Sequence, residues 1–484
     1  MTEHAIGTAF GPYEDERPHG REVSRTARDD VQRDAAVQHR PSRADDSTEP
    51  SGCPVRPEST LVSLSDNGFR ADPHELYRTM RHEHGPVVAV ELPGGVPAWL
   101  VIGYLELHQV TGDPVLFPRD SRLWNQRANI PAGWPLLPMI DHPNPSITST
   151  VGAIHRSRVA MVEPALESVD LVALRRTCEH LADHLIDTFC GRGTADLVAD
   201  FAEPLPMSAL AWLFGFTEED GAQFIEMLKA LTDGGPDAGS VYPRLAERMQ
   251  QLLAAKRARP GADLVSRMLT YPASFTDAEC ALDLLAVVAA GYLPTVDWIG
   301  NSIRLMRTDE RFAGALGGGR HSVEHAMNEV LWEDTPIQIF PGRWAASDTR
   351  LGDKDIRAGD MLLLGLAAAN ADPHVGRQLT ENSAAAGTGN SAHFAFGHGE
   401  YRCPFAAQQI AEIIAQTGIE VLLDRLPDLD LAVPAANLVR RPSPFLRGIT
   451  SLPVRFTPVR TTGTPPLAGN AHTPDLWRST NLQY

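Results

Sequence analysis

The stretch that decides the fold is HFAFGHGEYRCPFAAQQIAEIIA, residues 393–415. Its first half is a turn in which Gly397 and Gly399 let the backbone approach another group closely. Cys403 comes just before Pro404, a residue suited to the first turn of a helix. The positive end of the helix dipole and the unpaired N–H groups there favour a thiolate over a thiol. We therefore predict a helix from Pro404 to about Arg425, with a chemically important cysteine at its start.

The cysteine alone leaves two interpretations open. A lone cysteine is most often a buried structural residue that behaves as a small hydrophobe. A thiolate in this place is instead a good ligand for a soft or borderline metal, haem iron included. Zinc is disfavoured, because no second Cys or His lies at ligand spacing nearby.

The composition of the 484-residue chain excludes several classes of protein. It is 43% hydrophobic and 21% charged, which is enough apolar material for a large core and argues against disorder over the whole length. The net charge of −18 argues against a nucleic-acid binder or a protein bound to anionic membranes, since both need basic faces. The cysteines are too few for a disulfide framework and indicate a reducing compartment; they are Cys53, Cys178, Cys190, Cys280 and Cys403.

The two ends of the chain differ from its middle. Residues 1–57 and 461–484 are polar and poor in large apolar side chains, so we predict that both are disordered and that residues 58–460 form the folded domain. The first residues lack a basic n-region and an apolar run, and no apolar stretch reaches the roughly 20 residues of a membrane span. We expect a cytoplasmic protein.

The middle of the chain is mostly helical, with short strands. Pro73 begins an amphipathic helix, and VVAVEL and AWLVIGY, separated by a PGG turn, predict a strand hairpin. Strands are also predicted around residues 343–361. The predicted helices span residues 163–189, 205–214, 242–257, 277–306 and 323–332. This pattern predicts an α+β, mostly helical fold in one large domain.

The loop Phe396-x-x-Gly399-x-x-x-Cys403 resembles the haem-binding loop of the cytochrome P450 family, the haem-thiolate monooxygenases. Residues 71–104, 194–216 and 343–373 also resemble family segments, and the resemblance extends over roughly residues 58–458 in the right order. It implies a helical prism with small sheets that encloses haem b. It also implies that one atom of O₂ enters a hydrophobic small molecule, with electrons from a ferredoxin and its NAD(P)H-dependent reductase.

The resemblance also assigns roles to single residues. It makes Cys403 the axial thiolate ligand, in a loop with Phe396. It implies that Arg343, His155 and Tyr401 bind the haem propionates. The family usually has a further arginine at the place of Val159, and we expect Arg158, or failing that Arg156, to substitute for it. The substrate is expected against residues 121–145, 287–293 and 336–341.

The ligand loop and the helix before it depart from the family pattern. Phe405 replaces the usual glycine, and Pro404 removes an N–H that could bond the sulfur, so we expect an electron-rich thiolate and an iron that is harder to reduce. The usual Glu-x-x-Arg pair becomes Glu329-x-x-Trp332, which resembles an atypical actinobacterial subset. An unpaired buried carboxylate is costly, so we expect Glu329 to meet another arginine, to be protonated or to be exposed.

The segment expected to activate oxygen also departs from the family. The usual acid and threonine are replaced by Leu293 and Pro294, and Thr295 comes one residue late. Proline inside a helix kinks it, which could turn Thr295 inward beside Gly291, our two candidate catalytic residues. The same change favours two alternatives, a peroxide-driven or isomerase-type haem enzyme and a haem protein with only a binding role.

Overall fold

The structure, a computed structural model, describes residues 61–64, 73–141, 145–233, 238–272, 275–309, 312, 320–374 and 392–463. The predicted disordered segment 1–57, with Cys53, lies outside these residues. So does the predicted tail, except for residues 461–463.

Helices make up most of the described chain. The predicted helix at Pro73 is confirmed, and the last helix begins one residue after Pro404, at Phe405. The helices are α1 Pro73–His84, α2 Tyr104–Gly112, α3 Leu137–Ile140, α4 Gly152–Glu167, α5 Leu171–Phe189, α6 Pro204–Phe214, α7 Glu218–Asp233, α8 Ala238–Ala258, α9 Leu264–Met268, α10 Asp277–Gly291, α11 Leu293–Thr308, α12 Arg320–Glu333, α13 Leu366–Asn370 and α14 Phe405–Arg425.

Two of the predicted long helices are interrupted. The predicted helix over residues 163–189 is wrong, because the chain turns between α4 and α5, where the Asp170 side chain accepts hydrogen bonds from the N–H groups of Val172 and Ala173. Such a cap satisfies backbone donors that a new helix leaves free. The predicted helix over residues 277–306 breaks at Tyr292, and Pro294 lies in the first turn of α11, where its missing N–H costs little.

The strands form three small sheets. The largest has five strands in the order β1-β2-β3-β8-β5. Its β2–β3 pair is the predicted hairpin, antiparallel from Val87 opposite Val101 to Leu92 opposite Val96. A three-stranded sheet has the order β4-β10-β9, and β6 pairs with β7. The strands are β1 Val62–Ser63, β2 Val87–Leu92, β3 Val96–Val101, β4 Thr194–Asp196, β5 Phe340–Trp344, β6 Thr349–Leu351, β7 Lys354–Ile356, β8 Met361–Leu364, β9 Asp430–Leu431 and β10 Pro453–Arg455.

A large helical core surrounds α10, α11 and α14, and two smaller apolar clusters cover the faces of the five-stranded sheet. The α10–α11 stretch, residues 277–308, is long and apolar enough to cross a membrane, contrary to our estimate from apolar runs. Half of its apolar window is buried inside the protein, as in the central helix of a folded domain. This stretch and α14 bring the two halves of the site together.

Candidate active site

The loop that ends at Cys403 is folded tightly. The Cys403 N–H donates to the Phe396 carbonyl at 2.9 Å, and the Gln408 side chain donates to the Cys403 carbonyl at 2.8 Å. Gly399 has a φ of +73°, and a Cβ there would lie 2.1 Å from the Thr111 carbonyl oxygen. Only glycine allows this approach of the loop to α2.

Our prediction about the ionisation of the Cys403 thiol is wrong for the iron-free site. Burial raises the pKa of this thiol to about 12, so without a positive partner the sulfur keeps its proton. A thiol buried in this way is inert until a cation compensates its charge. A thiolate at residue 403 therefore requires a metal or another positive group in contact with the sulfur.

A buried imidazole lies next to this loop. His155, on the first turns of α4, is 4% exposed, and its ring centroid is 4.7 Å from that of Tyr401. Its Nδ1 lies 3.0 Å from the Ile147 carbonyl oxygen, whereas its enclosed Nε2 has no hydrogen-bond partner. Burial lowers the pKa of His155. The Glu400 and Ile147 backbones favour the charged form of the ring, but Nε2 forms no hydrogen bond of normal geometry within the described residues, so it can take a polar ligand.

Two guanidinium groups lie on the other side of Tyr401. Arg343, on β5, is 4% exposed, and its guanidinium carbon is 4.3 Å from the centre of the Tyr401 ring. Arg119 is half-buried, 5.8 Å from the Tyr401 ring and 4.8 Å from the Phe340 ring. Sequence reasoning missed Arg119. The only signal was a basic residue in an otherwise apolar turn, LFPRD, and many exposed arginines share that pattern.

The Glu400 carboxylate lies close enough to favour the charged forms of Arg343 and His155, but within the described residues it forms no ion pair with either. Burial lowers the pKa of Arg343 to about 9 and that of Arg119 to about 10, and the charge of Arg119 further lowers the pKa of Arg343. Within the described chain neither guanidinium forms an ion pair, and the nearby Glu400 carboxylate is 3.6 Å from Arg156. His155, Arg119, Arg343 and Tyr401, which we call the basic pocket, thus form a binding site for an anion.

An opening faces the middle of the central helix. Ala289 and Ala290 are exposed, although Val288 and Tyr292 beside them are only 2% exposed. Their small apolar side chains leave space at the end of α10, in the stretch predicted to contact a substrate. The candidate site therefore comprises a half-buried cysteine and a pocket for an anion, and the exposed alanines of α10 are its candidate substrate wall.

Comparison with known proteins indicates which cofactor this arrangement of residues binds. Cytochrome P450 107B1 of Saccharopolyspora erythraea is 29% identical over 403 residues, which cover 81% of this chain and 96% of that protein. The monooxygenase PikC of Streptomyces venezuelae is 28% identical over 82% of this chain and 94% of its own. The crystal structure of CYP154C4 from a Streptomyces species matches with a TM-score of 0.71 and 28% identity, over 82% of this chain and 98% of that chain. No family model matches the chain.

The chain belongs to the cytochrome P450 family. It has the P450 fold, and it is an oxidoreductase, a P450 monooxygenase whose cofactor is haem b. The residues present fit that cofactor. The two propionates of haem b are anions, and the basic pocket holds unpaired cations and the enclosed Nε2 of His155. The low polarity around Cys403 suits a sulfur that is ionised only when it binds iron.

The structure contradicts the predicted role of Arg158 as a propionate partner. Arg158 is 1% exposed, and its Nη1 donates to Asp283 Oδ2 at 2.6 Å while its Nη2 donates to Glu279 Oε1 at 3.1 Å. Its guanidinium also lies 4.4 Å from the ring of Phe275. Arg158 lies one residue before the place of Val159, and this difference turns its side chain about 100° around α4, towards α10. Arg119 occupies the pocket from a different loop.

In most P450s one helix carries the Glu-x-x-Arg pair. In this chain that helix is α12, and aromatic rings pack it against the ligand loop. The Trp332 ring meets that of His393 edge-on at 5.7 Å, and His393 lies 6.0 Å from Phe396 in the ligand loop. Burial lowers the pKa of His393 to about 4, so this contact is neutral. Glu329 is half-buried, and its expected arginine partner stays a prediction. Aromatic packing therefore joins α12 to the ligand loop of this P450.

Thr295 has a structural contact at the break between α10 and α11. Its hydroxyl donates to the Gly291 carbonyl at 2.7 Å, while its N–H donates to Tyr292. The hydroxyl thus replaces the ladder hydrogen bond that the break removes from Gly291. The side chain is 2% exposed. The predicted part of Thr295 and Gly291 in oxygen activation by this P450 stays a prediction.

Proposed function

We propose that this P450 binds haem b through Cys403 and the basic pocket and oxidises a hydrophobic small molecule. The observation that carries the proposal is the set of cations without ion pairs beside the cysteine loop, within the described residues. Arg119, Arg343, His155 and Tyr401 would each donate to a propionate oxygen. We also propose that the haem domain spans residues 58–460.

The chain's own residues hold the cysteine and limit the donors around its sulfur. The N–H of Cys403 is directed at Phe396, and Pro404 has none, so neither can bond the sulfur. When haem is bound, its iron supplies the chemistry of O₂ cleavage, which electron donation from a thiolate favours. Fewer N–H groups at the sulfur leave more electron density on it and lower the reduction potential.

The apolar opening supports a hydrophobic substrate. Ala289 and Ala290 present methyl groups and no polar side chain, and the half-buried Val287 and Leu293 lie next to them in the sequence. Such a wall favours a ligand that gives up apolar surface to it. The same opening, next to the break at Tyr292, would admit the water needed for proton delivery.

The surface outside the ligand loop supports electron delivery by a ferredoxin. Phe405 is 64% exposed two residues after Cys403, and Arg402 beside it is exposed as well. An exposed aromatic residue next to a basic one is typical of a binding site for a protein with acidic surface groups. We propose that a ferredoxin, reduced by an NAD(P)H-dependent reductase, binds there, and that the protein works in the cytoplasm.

The ligation is tested by a carbon monoxide difference spectrum of the reduced protein. The wild type is expected to show the band of thiolate-ligated haem, and Cys403→Ala is expected to lose it. Cys190→Ala is the matched control, because Cys190 is buried at the C-terminal end of α5. A thiolate band that survives in Cys403→Ala would contradict the proposal. Turnover with a surrogate ferredoxin, its reductase and NADPH then tests the electron source.

A peroxide-driven enzyme is the second candidate. It is favoured by the hydroxyl of Thr295, which already donates to Gly291, and by Leu293 and Pro294 in the places of the usual acid and alcohol. Product formation with hydrogen peroxide alone, faster than with the ferredoxin system on the same substrates, would support this candidate. Failure with both donors over a wide substrate panel would favour a binding role.

A further inference from the structure

Asp334, the residue after α12, is the meeting point of three arginines from two other parts of the chain. Arg304 on α11 and Arg440 near the C-terminal end donate to its Oδ2 at 3.1 and 2.8 Å. Arg447 donates from Nε to its Oδ1 at 2.5 Å. We call these four residues the arginine clamp.

The clamp is buried and charged. Asp334 is 5% and Arg447 8% exposed. Burial raises the pKa of Asp334, but the guanidinium groups of Arg440, Arg447 and Arg304 outweigh it, and the net result is a pKa below the usual range. A buried carboxylate with three cationic donors is held ionised and in one orientation.

Asn301 on α11 extends the clamp to the backbone. Its side-chain amide donates to the carbonyls of Asp334 at 3.0 Å and Arg447 at 2.7 Å, and its oxygen accepts from Arg440 at 2.9 Å. Asn301 is fully buried. The segments around residues 334 and 440–447 are therefore fixed to the central helix and to each other.

The clamped loop is paired with the segment that follows Asp334. The Arg447 N–H donates to the Pro336 carbonyl at 2.8 Å, and the Gln338 N–H donates to the Phe445 carbonyl at 2.9 Å. Ile337 and Leu446 form an antiparallel bridge. Residues 336–339 and 443–447 thus form one hydrogen-bonded unit that the clamp holds by charge, and the Arg441–Asp297 ion pair ties the start of the same loop to α11.

This unit leads directly into the haem site. Phe340, the next residue, lies 4.8 Å from the guanidinium of Arg119, and Arg343 follows on the same strand. A displacement of residues 336–339 would therefore move the wall beside the basic pocket.

We propose that Asp334 is a positioning residue that sets substrate selectivity, because the arginine clamp fixes residues 336–339 and 443–447 as one wall of the substrate pocket. The inference rests on the proposed haem site and deepens it. Asp334 touches neither substrate nor cofactor and acts through this wall. The ligands it would discriminate are apolar molecules large enough to contact this wall.

The test uses the purified haem protein with two probes, imidazole and 4-phenylimidazole, titrated by the shift of the haem absorption band. Imidazole reports the iron alone, whereas the phenyl group of the second probe reaches the walls. In Asp334→Asn the affinity for 4-phenylimidazole should change by at least about five-fold, equivalent to about 1 kcal/mol, with that for imidazole unchanged. Asp430→Asn, which breaks an exposed ion pair with Arg455, is the matched control and should change neither affinity.

Arg440→Gln removes one arm of the clamp, leaves two, and should change the ratio of the two affinities in the same direction. An unchanged ratio in an Asp334→Asn protein with full haem content would overturn the inference. Loss of haem from both variants, with haem kept in Asp430→Asn, would also overturn it and indicate a merely structural role. A wild-type protein that shows no shift with imidazole would instead contradict the proposed haem site.

Discussion

Replacing Arg119 by glutamine should weaken haem binding, although no sequence pattern marks this residue. Arg119 lies between the rings of Phe340 and Tyr401, in a pocket where the other strong cation is Arg343. Glutamine keeps a donor of similar length and removes the charge. The substitution therefore tests the charge of the pocket rather than its packing.

The size of the effect on haem binding follows from the hydrogen bond to a charged propionate that the variant would lose. A hydrogen bond to a charged group contributes about 1.5–3 kcal/mol, so the loss of Arg119 should speed haem loss roughly ten- to hundred-fold. The effect of the substitution on the thermal stability of the haem-free protein should have the opposite sign. Arg119 lowers the pKa of Arg343, so removing Arg119 relieves repulsion, and the melting temperature without haem should stay equal or rise.

The rate of haem loss is measured by transfer to an excess of apomyoglobin, and the melting temperatures by calorimetry with and without haem. Arg350→Gln is the control, because Arg350 is an exposed arginine on β6 and its loss should change neither quantity. A rate of haem loss in Arg119→Gln within about two-fold of the wild type would refute the reasoning, since that ratio corresponds to less than about 0.5 kcal/mol.

Three further substitutions test the packing around the site. Trp332→Arg should lower the free energy of unfolding by about 1 kcal/mol or more, because it removes a ring contact with the ligand loop; a marked gain in stability in urea would show that the loop is not packed this way. Arg158→Met should cost about 3–5 kcal/mol by leaving the buried Asp283 uncompensated, and Arg158→Met with Asp283→Leu should recover most of it in the same urea titration. Burial raises the pKa of Asp297 to about 7, so this group's contribution to stability falls as pH rises from about 4 to about 7. Asp297→Asn should therefore stabilise the protein by about 2–4 kcal/mol more at about pH 8 than at about pH 4, and equal gains at both pH values would exclude this titration.

Local sequence patterns predicted the helices and strands well where a single feature of the sequence, such as its apolar period, was clear. The hairpin of β2 and β3, α1 and α14 follow from apolar period and from proline and glycine positions. The breaks at Asp170 and Tyr292 were missed because both lie in apolar helical patterns. At Asp170 a side-chain cap, and at Tyr292 a proline and a threonine hydroxyl, outweigh helix propensity.

The residues of the site also divide into those that the sequence predicted and those that only the tertiary structure placed. The sequence by itself determined the family, the haem cofactor, and that Arg343 and His155 would come near the ligand loop, because those residues lie in motifs with fixed local spacing. Tertiary structure alone decided that Arg119 enters the basic pocket, that Arg158 turns to Asp283, and that Asp334 collects three arginines. Ion pairs and burial depend on which distant segments share a space, and burial also raises the pKa of Cys403.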